Sequence, residues 1–111
     1  MILHNKWKII DGEYRLIEGV TLIPFYGHTK GLQGMLIELK HQNILVCSDA
    51  CYTSRNLGPP IIHPGFLNDI ENYDKNLEKI QKIKKEKNAW IMYGHDPEQF
   101  SELKKIPYYY E

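Results

Sequence analysis

The stretch Ile44-Leu45-Val46-Cys47-Ser48-Asp49-Ala50-Cys51-Tyr52-Thr53, written ILVCSDACYT, places a carboxylate at the exit of an apolar run. Four successive apolar residues, 44–47, read as a strand buried on both faces, which belongs in the interior of a sheet rather than at its edge. An ionisable side chain at the mouth of such a strand is either a loop cap or a ligand. The phenol of Tyr52, three residues on, stands beside it. What flanks this stretch has to separate the two readings.

Upstream the texture is that of strands. Residues 7–10 and 13–17 flank Asp11-Gly12 and predict a β-hairpin, because Asp-Gly takes up the positive φ angles of a two-residue turn. Residues 20–25, after Gly19, predict a third strand. Residues 34–40 predict a fourth, joined through His41-Gln42-Asn43 to the strand at 44–48, and both members of that pair are apolar enough to be central. Downstream, residues 53–66 form a long irregular loop carrying Pro59, Pro60 and Pro64 with Gly58 and Gly65, and a loop of this length in a compact domain usually serves function. Ile70, Tyr73, Leu77, Ile80 and Ile83 recur at spacings of three and four and predict a helix over 69–86 with one apolar stripe. Asn68 or Asp69 caps its start, and lysines at 82, 84, 85 and 87 suit the negative end of its dipole. Residues 89–93 predict a buried strand ended by Gly94-His95-Asp96.

Composition limits the function classes. The chain has 111 residues, room for one domain over 1–111, with 14 basic and 14 acidic residues and so no net charge. A nucleic-acid partner is not expected, since no broad basic footprint is present and the lysine run lies on a solvated helix face. No membrane partner is expected either, because no apolar run approaches the roughly 18 residues a span requires. Residues 1–10 are interrupted by charge and polarity and do not read as a signal peptide, so the expected location is cytoplasmic. Cys47 and Cys51 are spaced for neither a redox pair nor a zinc site and are expected to be reduced thiols, with Cys51 a bystander beside the aspartate.

His28, Asp49 and His95 share one property: each follows an apolar strand, where an open sheet collects ligand-binding loops. Glycine precedes both histidines and allows the backbone to turn sharply. Two imidazoles and a carboxylate suit zinc, iron or manganese, which accept nitrogen and oxygen donors. Singly, each has a plainer reading, a hydrogen-bonded turn histidine or a loop-capping aspartate. Histidines 4, 41 and 63 lack the strand-end setting and are read as surface or loop residues.

With those residues in place, about 100 of the 111 residues resemble the C-terminal half of the metallo-β-lactamase superfamily and, within it, the N-acyl homoserine lactonase branch. The resemblance runs through WKIIDGEYRLIEGVTLIPFYGHTKG, ILVCSDACYT, PGFLNDI ahead of the helix, WIMYGHD and the closing IPYYYE. It implies an α/β (α+β) fold that is half of an αββα sandwich: one mainly antiparallel sheet, one long helix and a short C-terminal helix. It also implies a site with two divalent ions, usually zinc, bridged by a hydroxide and an aspartate. His28 would ligate the first ion, Asp49 bridge the pair and His95 ligate the second, while Tyr52 would be the catalytic phenol that stabilises the substrate's carbonyl or leaving oxygen. Asp96 would be structural or an outer partner of the site. The implied reaction is hydrolytic opening of a small-molecule lactone, the chemistry of quorum quenching, by metal-bound hydroxide. Substrate contacts are expected from Tyr52, Gly65 and Phe66.

The family's His-x-His-x-Asp-His loop, which supplies four further ligands, has no counterpart here. Three alternatives stay open: a hydrolase half that works with a missing N-terminal half-domain, a non-catalytic metal- or protein-binding module, or an inactive truncated relic. In a half sandwich the sheet face away from the helix, with alternate residues of the strands at 20–25, 34–39 and 44–47, is left open for that partner or for self-association.

Overall fold

The computed structural model describes residues 7–111; His4 lies outside the described residues. Among the described residues, five strands form one sheet in sequence order: β1 (Tyr14–Ile17), β2 (Val20–Pro24), β3 (Gln33–Glu38), β4 (Asn43–Ser48) and β5 (Ala89–Tyr93). The pairings β1–β2, β2–β3 and β3–β4 are antiparallel, whereas β4–β5 is parallel. A parallel pair needs a crossover, and the long helix α1 (Ile70–Glu86) supplies it; a short helix α2 (Pro97–Glu102) closes the chain.

The fold agrees with the mainly antiparallel sheet, long helix and short C-terminal helix expected. The first hairpin does not. Residues 7–10 form no strand, and Trp7 and Ile9 are almost fully exposed. The Asp11-Gly12 signal is real at the backbone level, since Gly12 has φ +75°. It turns the chain into β1 rather than joining two paired strands. The hairpin that does form is β1–β2, across Glu18-Gly19. Local turn chemistry marks a reversal, but pairing also requires a face to bury, and residues 7–10 have none within this sheet.

Strand alternation sorts the sheet into two faces. Ile23, Leu36, Leu45, Cys47 and Ile91 point to the helix and bury against Tyr73, Leu77 and Ile80. Ile70, placed in the apolar stripe by its spacing, is instead 59% exposed. It begins the helix, where the chain is still arriving from the loop and has not yet settled onto the sheet. The opposite face carries Val20, Leu22, Met35, Ile37, Val46 and Met92, all half-buried, as expected of a face that no helix among the described residues covers. Trp90 on this face stacks on Tyr110 at 5.7 Å between ring centroids, so the C-terminal tail shields the β4–β5 side.

Asp69 caps α1, accepting from Asn72 N at 3.0 Å. That bond and the one from the Asn72 side chain hold the Asp69 carboxyl below its ordinary range. A carboxylate depressed in the folded state stabilises above its unfolded pKa near 4 and loses that contribution as pH falls through the folded value. Between pH 5 and pH 2, the urea midpoint should therefore fall further for the natural chain than for Asp69→Asn, whose amide caps without titrating. Equal falls would remove Asp69 as a source of acid sensitivity.

The start of α1 also fixes the loop after β2. The Gly27 carbonyl accepts from Asn68 N (3.0 Å) and Asp69 N (2.9 Å), and Gly27 sits at φ +113°. A Cβ there would lie 2.5 Å from Tyr73 N. Gly27→Ala is expected to lower stability by at least about 2 kcal/mol in a denaturant melt, through left-handed strain and backbone collision together.

Candidate metal and substrate site

Two antiparallel steps make β2 run in the same direction as β4, and β5 is parallel to β4, so β2, β4 and β5 all end at one edge of the sheet. His28 lies four residues past β2, Asp49 one past β4, and His95 two past β5. The scatter at 28, 49 and 95 along the chain thus becomes adjacency in space. His28 Nε2 is 3.4 Å from Asp49 Oδ2, and His95 Nε2 is 2.7 Å from Asp49 Oδ1. The two imidazoles address opposite oxygens of one carboxylate.

The β4–β5 backbone contact continues beyond the strands. Gly94 N donates to Cys51 O (3.0 Å) and His95 N to Tyr52 O (2.9 Å), binding the two site loops together. The two glycines that precede the histidines serve different ends. Gly27 has the positive φ of a sharp turn, whereas Gly94 permits close approach, since a Cβ there would lie 2.4 Å from Ser48 O. The expected turn-making role holds for Gly27, and closeness of two chains explains Gly94.

Tyr52 stands between the imidazoles. Its hydroxyl is 3.3 Å from His28 Nδ1, and its ring centroid is 4.5 Å from that of His95. Burial, followed by the neighbouring Asp49 charge, pushes the phenol above its ordinary value, so it keeps its proton at neutral pH and can donate it in a hydrogen bond. Phe66 meets the His28 ring edge-on at 5.5 Å, while Gly65 faces open space. Cys47 and Cys51 are free and buried; burial pushes the Cys51 thiol up to about 12 and Cys47 higher still. Both stay protonated at neutral pH, which disfavours metal ligation by either. Asp96 is the N-cap of α2, accepting from Gln99 N at 3.0 Å.

One supporting residue has no part in the sequence reading. The buried Asn56 accepts from Tyr52 N (2.8 Å) and Thr53 N (2.9 Å) and donates to Ile62 O, so a single amide sets the turn that carries Tyr52 and ties it to the proline-rich loop. The Thr53-x-x-Asn56 spacing resembles a capping box and was the available signal. His63, read as a loop residue, is on the loop, and its Nε2 is 2.6 Å from Asp74 Oδ1 of α1.

No protein-family model matches the chain. It is 36% identical over 106 residues to the N-acyl homoserine lactonase AiiB of Agrobacterium fabrum, covering 91% of this chain and 38% of that protein. It is 32% identical over 107 residues to the N-acyl homoserine lactonase AiiA of Bacillus thuringiensis subsp. kurstaki, covering 96% and 42%. An N-acyl homoserine lactone hydrolase solved with N-hexanoyl-L-homoserine at its catalytic metal centre superposes with a TM-score of 0.87 at 30% identity, over 98% of this chain and 43% of that one. The chain is a homologue of the N-acyl homoserine lactonases. It spans about two-fifths of the length of the curated lactonases it matches. A probable metal-dependent hydrolase from Staphylococcus aureus, at 15% identity and a TM-score of 0.67 over 78% of this chain and 31% of that one, shares the fold. The structure of this lactonase homologue is accordingly part of the metallo-β-lactamase fold.

In the lactonase homologue the Tyr52 turn depends on Asn56. Asn56→Ala orphans two backbone donors, each costing about 1–3 kcal/mol when buried. A loss of about 2–4 kcal/mol in a urea melt, with a shifted Tyr52 amide resonance, is the expected outcome; an unshifted Tyr52 amide would detach the turn from Asn56.

Proposed function

We propose that the chain is the part of a metal-dependent N-acyl homoserine lactone hydrolase that supplies His28, Asp49, His95 and Tyr52. The observation carrying this reading is the placement of two imidazole Nε2 atoms on opposite oxygens of a single carboxylate, beside a protonated phenol. The donor set fits a pair of zinc or similar divalent ions, with His28 and Asp49 for one and His95 and Asp49 for the other. Among the described residues, no group of three His, Cys, Asp or Glu side chains is arranged to hold an ion. Two donors for each ion fall short of the three protein ligands typical of catalytic zinc. The remaining ligands have to come from the portion of the lactonases that this chain does not span.

When bound, such ions supply a water-derived nucleophile near pH 7 and polarise a carbonyl. This chain's own residues do the rest. Asp49, fixed at the strand mouth, holds the two histidines in register with one another. Were His28 to hold an ion through Nε2, its proton would sit on Nδ1 toward the Tyr52 oxygen 3.3 Å away, leaving the Tyr52 O–H free to donate outward. That O–H donates to the lactone carbonyl as charge develops, or to the ring oxygen as it leaves. Phe66 and Gly65, on the loop over His28, form the wall against which the substrate lies. The half-exposed sheet face, bearing Val20, Leu22, Met35, Ile37, Val46 and Met92, is the seat of the complementing half-domain, and the location is cytoplasmic.

The test mixes the chain with a polypeptide bearing the His-x-His-x-Asp-His loop, adds zinc, and follows acid release from N-hexanoyl homoserine lactone. Release should appear only in the mixture and fall at least about 100-fold in Asp49→Asn or His95→Ala, more than the loss of an outer partner of a ligand brings. Tyr52→Phe removes the acceptor for His28 Nδ1 and should weaken zinc binding by about 10- to 100-fold; at saturating zinc it should still lose about 100- to 1,000-fold in kcat. Undiminished release by Asp49→Asn would refute the site.

A further inference from the structure

β5 is the last strand in the sheet order, so among the described residues one side of its backbone has no neighbouring strand. Unpaired edge groups of this kind are normally solvated or blocked. Here one side chain occupies them. The Gln99 amide oxygen accepts from Tyr93 N at 2.9 Å, and its nitrogen donates to Ile91 O at 2.7 Å. A primary amide both donates and accepts, so Gln99 supplies the one donor and one acceptor that a single residue of a sixth strand would. Its own backbone N–H is held by Asp96 Oδ1 at 3.0 Å. Two ties therefore enclose the turn at Gly94 and His95 on its outer side, and the bond from His95 N to Tyr52 O closes it on the inner side.

We propose that Gln99 is a positioning residue for His95, fixing the exit of β5 so that the imidazole meets Asp49 and lies beside the Tyr52 ring. The His95 side chain is itself 58% exposed. The bond to Asp49 and the contact with the Tyr52 ring hold the imidazole once it is there, and the angle at which its backbone leaves the strand sets whether it can reach them. Gln99 controls that angle without touching the reacting atoms. This extends the reading of His95 as a metal ligand, yet the contact between the His95 and Tyr52 rings needs no ion to be measured.

The test compares the natural chain with Gln99→Leu, Gln99→Glu and Leu103→Ala, the last loosening α2 while leaving the amide in place. In NMR spectra of chain labelled at histidine and tyrosine, cross-peaks between the His95 and Tyr52 rings should weaken several-fold in Gln99→Leu and less in Gln99→Glu, which keeps the acceptor for Tyr93 N. Leu103→Ala should retain them even if it melts as early as Gln99→Leu. Should Gln99→Leu fail to fold, Gln99→Glu decides. Unchanged cross-peaks in a folded Gln99 variant, or an equal loss in Leu103→Ala, would overturn the assignment. Cobalt(II) titrated into the same chains, each mixed with the polypeptide bearing the His-x-His-x-Asp-His loop, should bind at least about tenfold more weakly with Gln99→Leu. If the mixture containing the natural chain takes up no cobalt, the metal reading fails while the ring cross-peaks still judge Gln99.

Discussion

The parallel pairing of β4 with β5 is the constraint on which the site depends. Antiparallel neighbours would send Asp49 and His95 to opposite ends of the sheet, some 15 Å apart for strands of five or six residues. Running in parallel, the strands deliver both to one edge, and two backbone bonds beyond the strand ends, from Gly94 to Cys51 and from His95 to Tyr52, keep the exits in contact. The crossover that parallel pairing requires is α1, so the helix that buries the core also makes the site possible. Its first turn packs on Gly27 and so sets the approach to His28. One element thereby links stability to the geometry of all three candidate ligands.

The layer arrangement leaves two things incomplete, and they have a common origin. A single sheet covered by one helix buries one face, and its other face stays half-exposed with apolar side chains. At the end of the sheet where β2, β4 and β5 finish, two imidazoles share a single carboxylate, His28 on one oxygen and His95 on the other. The relatives are more than twice as long as the matched region. The half-domain proposed for the open face would complete both the core and the coordination at once.

Much of this was legible in the residues. The strands at 20–24, 33–38, 43–48 and 89–93 and the helix at 70–86 come within a residue or two of their periodicity, since apolar alternation and i, i+3, i+4 spacing report burial directly. The hairpin at 7–17 misled because Asp11-Gly12 announces a turn without guaranteeing a partner strand. Ile70 misled because periodicity counts positions without knowing where the helix first meets the sheet. Gly94 was read as a turn residue, but its need is proximity to Ser48, a distance no local pattern encodes. Asn56 went unnoticed although the Thr53-x-x-Asn56 spacing is local, whereas the reach of Gln99 back to the edge of β5 follows no periodicity.

By itself the sequence determined which imidazoles and carboxylates follow apolar strands, because residue type and local periodicity are properties of neighbours along the chain. Tertiary structure alone decided that β2, β4 and β5 point the same way, that two imidazoles meet opposite oxygens of Asp49, and that Tyr52 stands between them. Strand direction within a sheet is fixed by pairing between distant segments. The energy of that pairing lies in contacts that exist only once the chain has folded.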